Sequence, residues 1–191
     1  SSDLLKTFVD AQKHWPGVSF KEAKCHMDME ESWNEFGPPA SKLRWCCSVR
    51  KSVPTLMLLS ELTGKDTKAV VFDGVRAEES LRRSKYTEVG EGVKNIQQVN
   101  CHAILKWSSA EIFVYALKKN VLLNNAYRHG IYRVGCKVCP MSAKWQDSLI
   151  SFNYPDEVKS QLRMLEDMTL FAKGKIDKKY IEDGGWQARA G

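Results

Sequence analysis

Apolar residues recur at helical spacing between Leu4 and Trp15, with Leu4, Leu5, Phe8 and Val9 on related faces, and Pro16-Gly17 ends the run. Leu56, Leu59 and Leu62 repeat at the same spacing behind Pro54, which a first helical turn tolerates, so a helix is predicted from Ser52 to Leu62. Ser108-Ser109-Ala110-Glu111 has the form of a capping box. The Ile112, Val114, Tyr115 and Leu117 that follow, with Lys118 and Lys119 in the last turn, predict a helix closing near Asn120. Pro155-Asp156-Glu157 opens a long helix running to about Lys173. Lys68 to Asp73 is short and valine-rich and ends at Gly74, which predicts a buried strand handing over to a loop at Val75-Arg76. Loops after strands are where α/β proteins place ligand contacts. Residues 18–34 carry no clear period. Gly37-Pro38-Pro39 predicts a rigid turn that delivers the chain into Arg44-Trp45-Cys46-Cys47. Thr63-Gly64-Lys65-Asp66-Thr67 follows a helix and precedes a strand, so it is expected to be a helix stop, and the tail after Gly184-Gly185 is expected to be loosely held. The alternation of helix and strand predicts an α/β class with parallel strands flanked by helices.

Composition narrows the chemistry. The 191 residues are 43% hydrophobic and 27% charged, enough for a globular core without disulfides. The apolar runs Val53 to Leu59 and Val70 to Phe72 are far shorter than a bilayer span. No secretory signal is legible at the start, which places the six cysteines in a reducing, cytoplasmic setting where metal or redox chemistry outranks disulfides. The net charge of +6 favours anionic ligands, but without the dense basic tract of a DNA-binding arm, so a phosphate-bearing small molecule is expected rather than nucleic acid.

Cys46-Cys47 and Cys136-Lys137-Val138-Cys139 supply four thiols in two close pairs, the ligand count of both a tetrahedral zinc site and a 4Fe-4S cluster. Zinc usually takes its thiolates from Cys-x-x-Cys knuckles, and adjacent cysteines depart from that pattern. Neighbouring side chains reach one centre only where the backbone bends or starts a helix, a demand that a larger cluster with separate iron corners relaxes. The spacing leans toward the cluster and leaves zinc open. Cys25 and Cys101 stand alone and read as core residues.

Other constellations are weaker. His14, His26, His102 and His129 show no ligand spacing and are expected to be satisfied or solvent-facing. His26-Met27-Asp28-Met29-Glu30-Glu31 reads as a hydrated surface or turn before it reads as a cation site. The six tryptophans are expected to be mostly core, with Trp45 able to shield a cluster face.

Three stretches together resemble one family. Arg44-Trp45-Cys46-Cys47-Ser48-Val49-Arg50-Lys51-Ser52-Val53-Pro54 looks like the double-cysteine segment of the phosphoadenosine phosphosulfate (PAPS) and adenosine phosphosulfate (APS) reductases, in the adenine-nucleotide alpha-hydrolase superfamily. Gly74-Val75-Arg76-Ala77-Glu78-Glu79-Ser80-Leu81-Arg82-Arg83 looks like that family's arginine loop. Ala103 to Trp107 with Ile112 and Tyr115, Leu123 to Gly130, Gly135-Cys136 and Cys139-Pro140 are similar to the stretch ending in its second cysteine pair. The resemblance runs from about Gly37 to Pro140, in the family's order.

The resemblance implies a 4Fe-4S cluster on Cys46, Cys47, Cys136 and Cys139, beside a pocket for an adenylated sulfate. It implies a catalytic Lys51 near both cluster and substrate, and Arg50, Arg76, Arg83 and Ser80 near the sulfate and phosphates. Guanidinium forks suit phosphate and sulfate oxygens, and a lysine sets a compact positive charge against anionic sulfur. The implied reaction is reduction of activated sulfate to sulfite, with a thioredoxin-like or ferredoxin-like reductant. The expected organisation is an amino-terminal helical segment over residues 1–36, a cluster and substrate core over 37–150, and a carboxy-terminal helix and tail over 151–191.

Two family features are missing from the sequence. No Ser-Gly-Gly-x-Asp-Ser phosphate loop is found, and no Glu-Cys-Gly-x-His-like segment follows Cys139. The chain is therefore expected to be an excerpt of an alpha-hydrolase-like fold, inactive alone. Two rival readings remain: an ATP-dependent sulfur transferase acting on tRNA or DNA, which would need the phosphate loop, and a zinc-stabilised binding module without chemistry.

Overall fold

The computed structural model describes residues 2–64, 68–91 and 98–188. Its contacts divide the chain into two compact units, Ser1–Val49 with Leu123–Gly191 and Arg50–Leu122.

In the first unit, α1 (Ser2–His14) stops at Pro16-Gly17 as its pattern predicts. The unassigned stretch contains α2 (Met29–Phe36), nucleated by a capping box in which the Asp28 side chain accepts from the Glu31 N–H and the Glu31 carboxylate accepts from the Asp28 N–H. Those two carboxylates of the acidic cluster thus satisfy a helix start. A single turn, α3 (Trp45–Cys47), runs on into wider π-type turns at Ser48–Ser52. α6 (Lys144–Asn153), α7 (Pro155–Lys173) and α8 (Lys178–Glu182) complete the unit.

Two apolar clusters hold it together. Ala126, Ile131, Ile150 and Val158 form one, with Val134 and Tyr154 packed against them. Trp33, Leu165 and Trp186 form the other, joined by Met29, Trp45 and Val138 among others. Val158 and Leu165 stand two helical turns apart on α7, so one face of that helix feeds both clusters. Trp186 corrects the expectation of a loose tail: it is buried, on a short 3-10 turn at Gly185–Ala188, because its indole completes the second cluster. Residues 189–191 lie outside the described residues.

The second unit carries α4 (Val53–Thr63), with Pro54 in its first turn, and α5 (Ser109–Lys118), behind the capping box of Ser108 and Glu111. α4 stops at Gly64, and Lys65 to Thr67 of the anticipated helix stop lie outside the described residues. A three-stranded sheet of order β1-β3-β2 is built from β1 (Ala69–Phe72), β2 (Val89–Glu91) and β3 (Gln98–Cys101). β1 runs parallel to β3 with Val70 opposite Val99 and Phe72 opposite Cys101, and β2 pairs antiparallel on the other side of β3. The fold is α/β, with a sheet that contains a parallel pair. β1 exists as predicted but is not buried. Its side chains alternate, leaving Val70 60% and Phe72 74% exposed, because a strand's neighbours point to opposite faces and only one face of β1 is covered among the described residues.

Candidate functional site

The first unit holds all four paired thiols. Cys46 and Cys47 sit on α3, directly after Arg44. Adjacent residues on a helix are rotated by about 100° rather than 180°, so both thiols can face one side, the bent backbone that neighbouring ligands require. Cys136 and Cys139 sit in a loop drawn closed at its base. Tyr132 stacks on Trp145 with ring centroids 5.2 Å apart. The buried Gln146 donates from Nε2 to the Arg133 carbonyl at 3.4 Å, and the Ser142 N–H donates to the Cys139 carbonyl at 3.0 Å.

The thiols are electrostatic neighbours. Burial pushes the Cys46 pKa up to about 11, and the charges of Cys47, Cys136 and Cys139 all add to the rise. A bound metal cation would invert that preference. Arg44 donates from Nη2 to Cys47 Sγ at 3.5 Å. Its guanidinium is held more firmly charged by that bond and by the charge of Cys47, with smaller contributions from Cys139 and Cys46. Among the described residues, no group of three or more His, Cys, Asp or Glu side chains is placed to hold a metal ion.

The second unit carries the other expected residues. Arg50 and Lys51 belong to the π-type turns, with Lys51 exposed and its carbonyl accepting from the Thr55 hydroxyl at 2.7 Å. The arginine loop follows β1, as predicted. Its guanidiniums are held by carboxylates of the same loop. Arg76 Nη2 lies 3.3 Å from Glu78 and 3.5 Å from Glu79, donates to Ser109 Oγ at 3.2 Å, and leaves its buried Nε without a hydrogen bond. Arg83 pairs with the other oxygen of Glu79. Ser80 Oγ accepts from the Arg83 N–H at 3.2 Å. Arg76, Ser80 and Arg83 are thus brought together as one compact turn, anchored to the sheet side by the Ala77 N–H donating to the Leu105 carbonyl at 2.7 Å. An anion entering this loop competes with Glu78 and Glu79 for the arginines.

Asp73 and His102 directly follow the parallel strands β1 and β3. The buried His102 places Nδ1 2.7 Å from Asp73 Oδ1, and its ring stacks on Tyr86 at 5.4 Å. This is the satisfied histidine expected from the sequence. Cys25 and Cys101 are only half-buried, and of the tryptophans only Trp33 and Trp186 are fully buried, so the core expectation holds for a minority of these residues. Trp45 is half-buried, donates from Nε1 to the Gly37 carbonyl at 3.1 Å and packs on the second cluster, which makes it a support for α3.

Arg44 and Lys137 were not singled out by sequence reasoning. Arg44 stands two residues before Cys46 and Lys137 lies between Cys136 and Cys139, and that proximity in sequence was the signal available. The Lys137 side chain keeps 10% of its exposure and lies 2.5 Å from Glu157 Oε2.

Comparison with known proteins points to one family. The phosphoadenosine phosphosulfate reductase domain model matches residues 2–142. An uncharacterized protein of Methanocaldococcus jannaschii is 25% identical over 185 residues, covering 97% of this chain and 37% of that protein. The adenosine 5'-phosphosulfate reductase of Neisseria meningitidis serogroup A is 32% identical over 103 residues, covering 53% of this chain and 38% of the reductase. That of Lysinibacillus sphaericus is 23% identical over 166 residues, covering 86% and 68%. The chain thus spans little more than a third of the archaeal relative's length. No helix among the described residues is long and apolar enough to cross a membrane. With the family model covering most of its length, the chain belongs to the phosphoadenosine phosphosulfate reductase domain family.

Proposed function

We propose that this chain is the iron-sulfur domain of a sulfonucleotide (PAPS or APS) reductase-like oxidoreductase, which reduces activated sulfate to sulfite in the intact protein. The observation that supports the reading is that Cys46 and Cys47, on one helical turn, and the distant Cys136 and Cys139 belong to one compact unit, where burial and the charges of the other three thiols raise the Cys46 pKa. Bound there, a 4Fe-4S centre supplies electron-transfer capacity and a local charge. The chain's own residues do the rest. Arg44 donates a hydrogen bond to sulfur. Arg76 and Arg83 exchange their carboxylate partners for phosphate and sulfate oxygens, with Arg50 and Ser80 adding donors, and Lys51 brings a positive charge to the reacting sulfate. These cations stabilise the departing nucleotide as a thiol attacks sulfur, the S–O bond to phosphate breaks, and its electron pair leaves with the phosphate. A thioredoxin-like or ferredoxin-like partner supplies the reducing equivalents.

The test is anaerobic purification with iron, acid-labile sulfide and zinc analysis, a visible spectrum, and a Cys139→Ser control. About four iron and four sulfide per chain, lost in the variant, followed by saturable binding of adenosine phosphosulfate, are the expected results. One zinc without sulfide would overturn the cluster and leave a structural module.

A further inference from the structure

Lysine is seldom buried unless it is paired, yet the one between Cys136 and Cys139 is nine-tenths buried. Its ammonium lies 3.4 Å from the centroid of the Tyr154 ring and 2.5 Å from Glu157 Oε2, held by charge and by the ring face without an aligned hydrogen bond. Tyr154 stands at the corner between α6 and α7, and its hydroxyl donates to Asp3 of α1. Glu157 lies in the first turn of α7. Tyr154 and Glu157 therefore grip one side chain of the cysteine loop, and Asp3 of α1 braces Tyr154. The next residue, Val138, packs against the cluster of Trp33, Leu165 and Trp186, whereas Tyr154, under the lysine, packs against the cluster of Ile131, Ile150 and Val158. The two residues between the cysteines are anchored in different cores, while Cys136 itself is exposed.

We propose that Lys137 is a positioning residue for the metal site: its clasp by Glu157 and Tyr154 presets the Cys136–Cys139 loop so that both thiols are presented before metal arrives. The proposal rests on the four-cysteine reading above. A loop fixed in advance binds more tightly because less ordering is left for the binding step, and supports one layer behind metal ligands commonly change affinity by about 10- to 100-fold.

The experiment compares the wild-type chain with Lys137→Met, which keeps the aliphatic stem, and with Lys137→Arg, which keeps the charge and the ring contact. Two probes are used: the rate of iron loss to a chelator from anaerobically purified protein, and cadmium titration of the metal-free protein followed by thiolate-to-cadmium absorption. Lys137→Met is expected to lose iron and bind cadmium at least about ten-fold worse while still unfolding cooperatively, and Lys137→Arg to recover most of the loss. Equal iron retention and cadmium affinity in Lys137→Met and wild type would overturn the proposal, as would an arginine variant no better than the methionine one. If Lys137→Met fails to fold, Glu157→Gln, altered at a half-exposed carboxylate, decides by the same two readouts. Wild-type protein that binds four-thiolate cadmium but assembles no cluster would sink the iron-sulfur reading and leave the lysine comparison standing.

Discussion

Trp45 and Val138, each the chain neighbour of a cysteine, pack against the same buried cluster of Trp33, Leu165 and Trp186. That shared anchorage ties together the two segments, distant in sequence, that carry Cys46 and Cys139. It links apolar packing, which the fold requires anyway, to ligand geometry. Trp45→Ala should cost about 2 kcal/mol of stability, less than a fully buried tryptophan because the ring is half-exposed. Val138→Ala should cost about 1 kcal/mol. Urea unfolding of the metal-free protein measures both. If the proposed cluster assembles, iron retention is expected to fall further in Trp45→Ala than in a Leu165→Ala variant of equal or greater instability, since Leu165 is not a chain neighbour of any of the four cysteines.

On the proposed cluster, the hydrogen bond from Arg44 to Cys47 Sγ would bear on redox behaviour. Donors to cluster sulfurs stabilise the more negative, reduced state. Arg44→Ala should therefore lower the reduction potential with little change in iron content, and Arg44→Lys should restore part of it. Spectroelectrochemical titration of the anaerobic protein reads the shift, and an unchanged potential would remove Arg44 from the site.

Glu79 occupies both Arg76 and Arg83. If the loop holds the proposed sulfonucleotide, a carboxylate that competes with its anions should weaken binding, so Glu79→Gln is expected to tighten adenosine phosphosulfate and Arg83→Ala to weaken it about ten-fold or more. Calorimetric titration of the intact protein distinguishes the two directions. Tighter binding in both variants, or in neither, would argue that this loop is structural.

Asp177 caps α8, accepting from the Tyr180 N–H at 2.9 Å and from Lys173 Nζ at 2.8 Å. The lysine first and the backbone donor second hold its carboxyl below the usual aspartate range. Folding thus favours the ionised form. Its contribution is complete above the unfolded aspartate value of about 3.9 and disappears as pH falls through the lower folded value. The Tyr180 amide resonance should titrate with a midpoint below that of a model aspartate, and the step should vanish in Asp177→Asn.

Much of this molecule was legible in its sequence because local rules governed it. The capping box of Ser108 and Glu111, the stop at Gly64, Pro54 in a first turn and the span of α7 are decided within a few residues by backbone hydrogen bonds and proline geometry. The cysteine segments and the arginine loop were legible as a family pattern. β2 and β3 were missed because Val89–Glu91 and Gln98–Cys101 carry too few apolar residues to show a period of two, and only pairing makes them strands. The exposure of Val70 and Phe72, the burial of Trp186, the carboxylates facing Arg76 and Arg83, and the clasp on Lys137 were decided by tertiary structure alone. Each depends on which distant side chain arrives alongside, and composition and spacing along the chain carry no record of that.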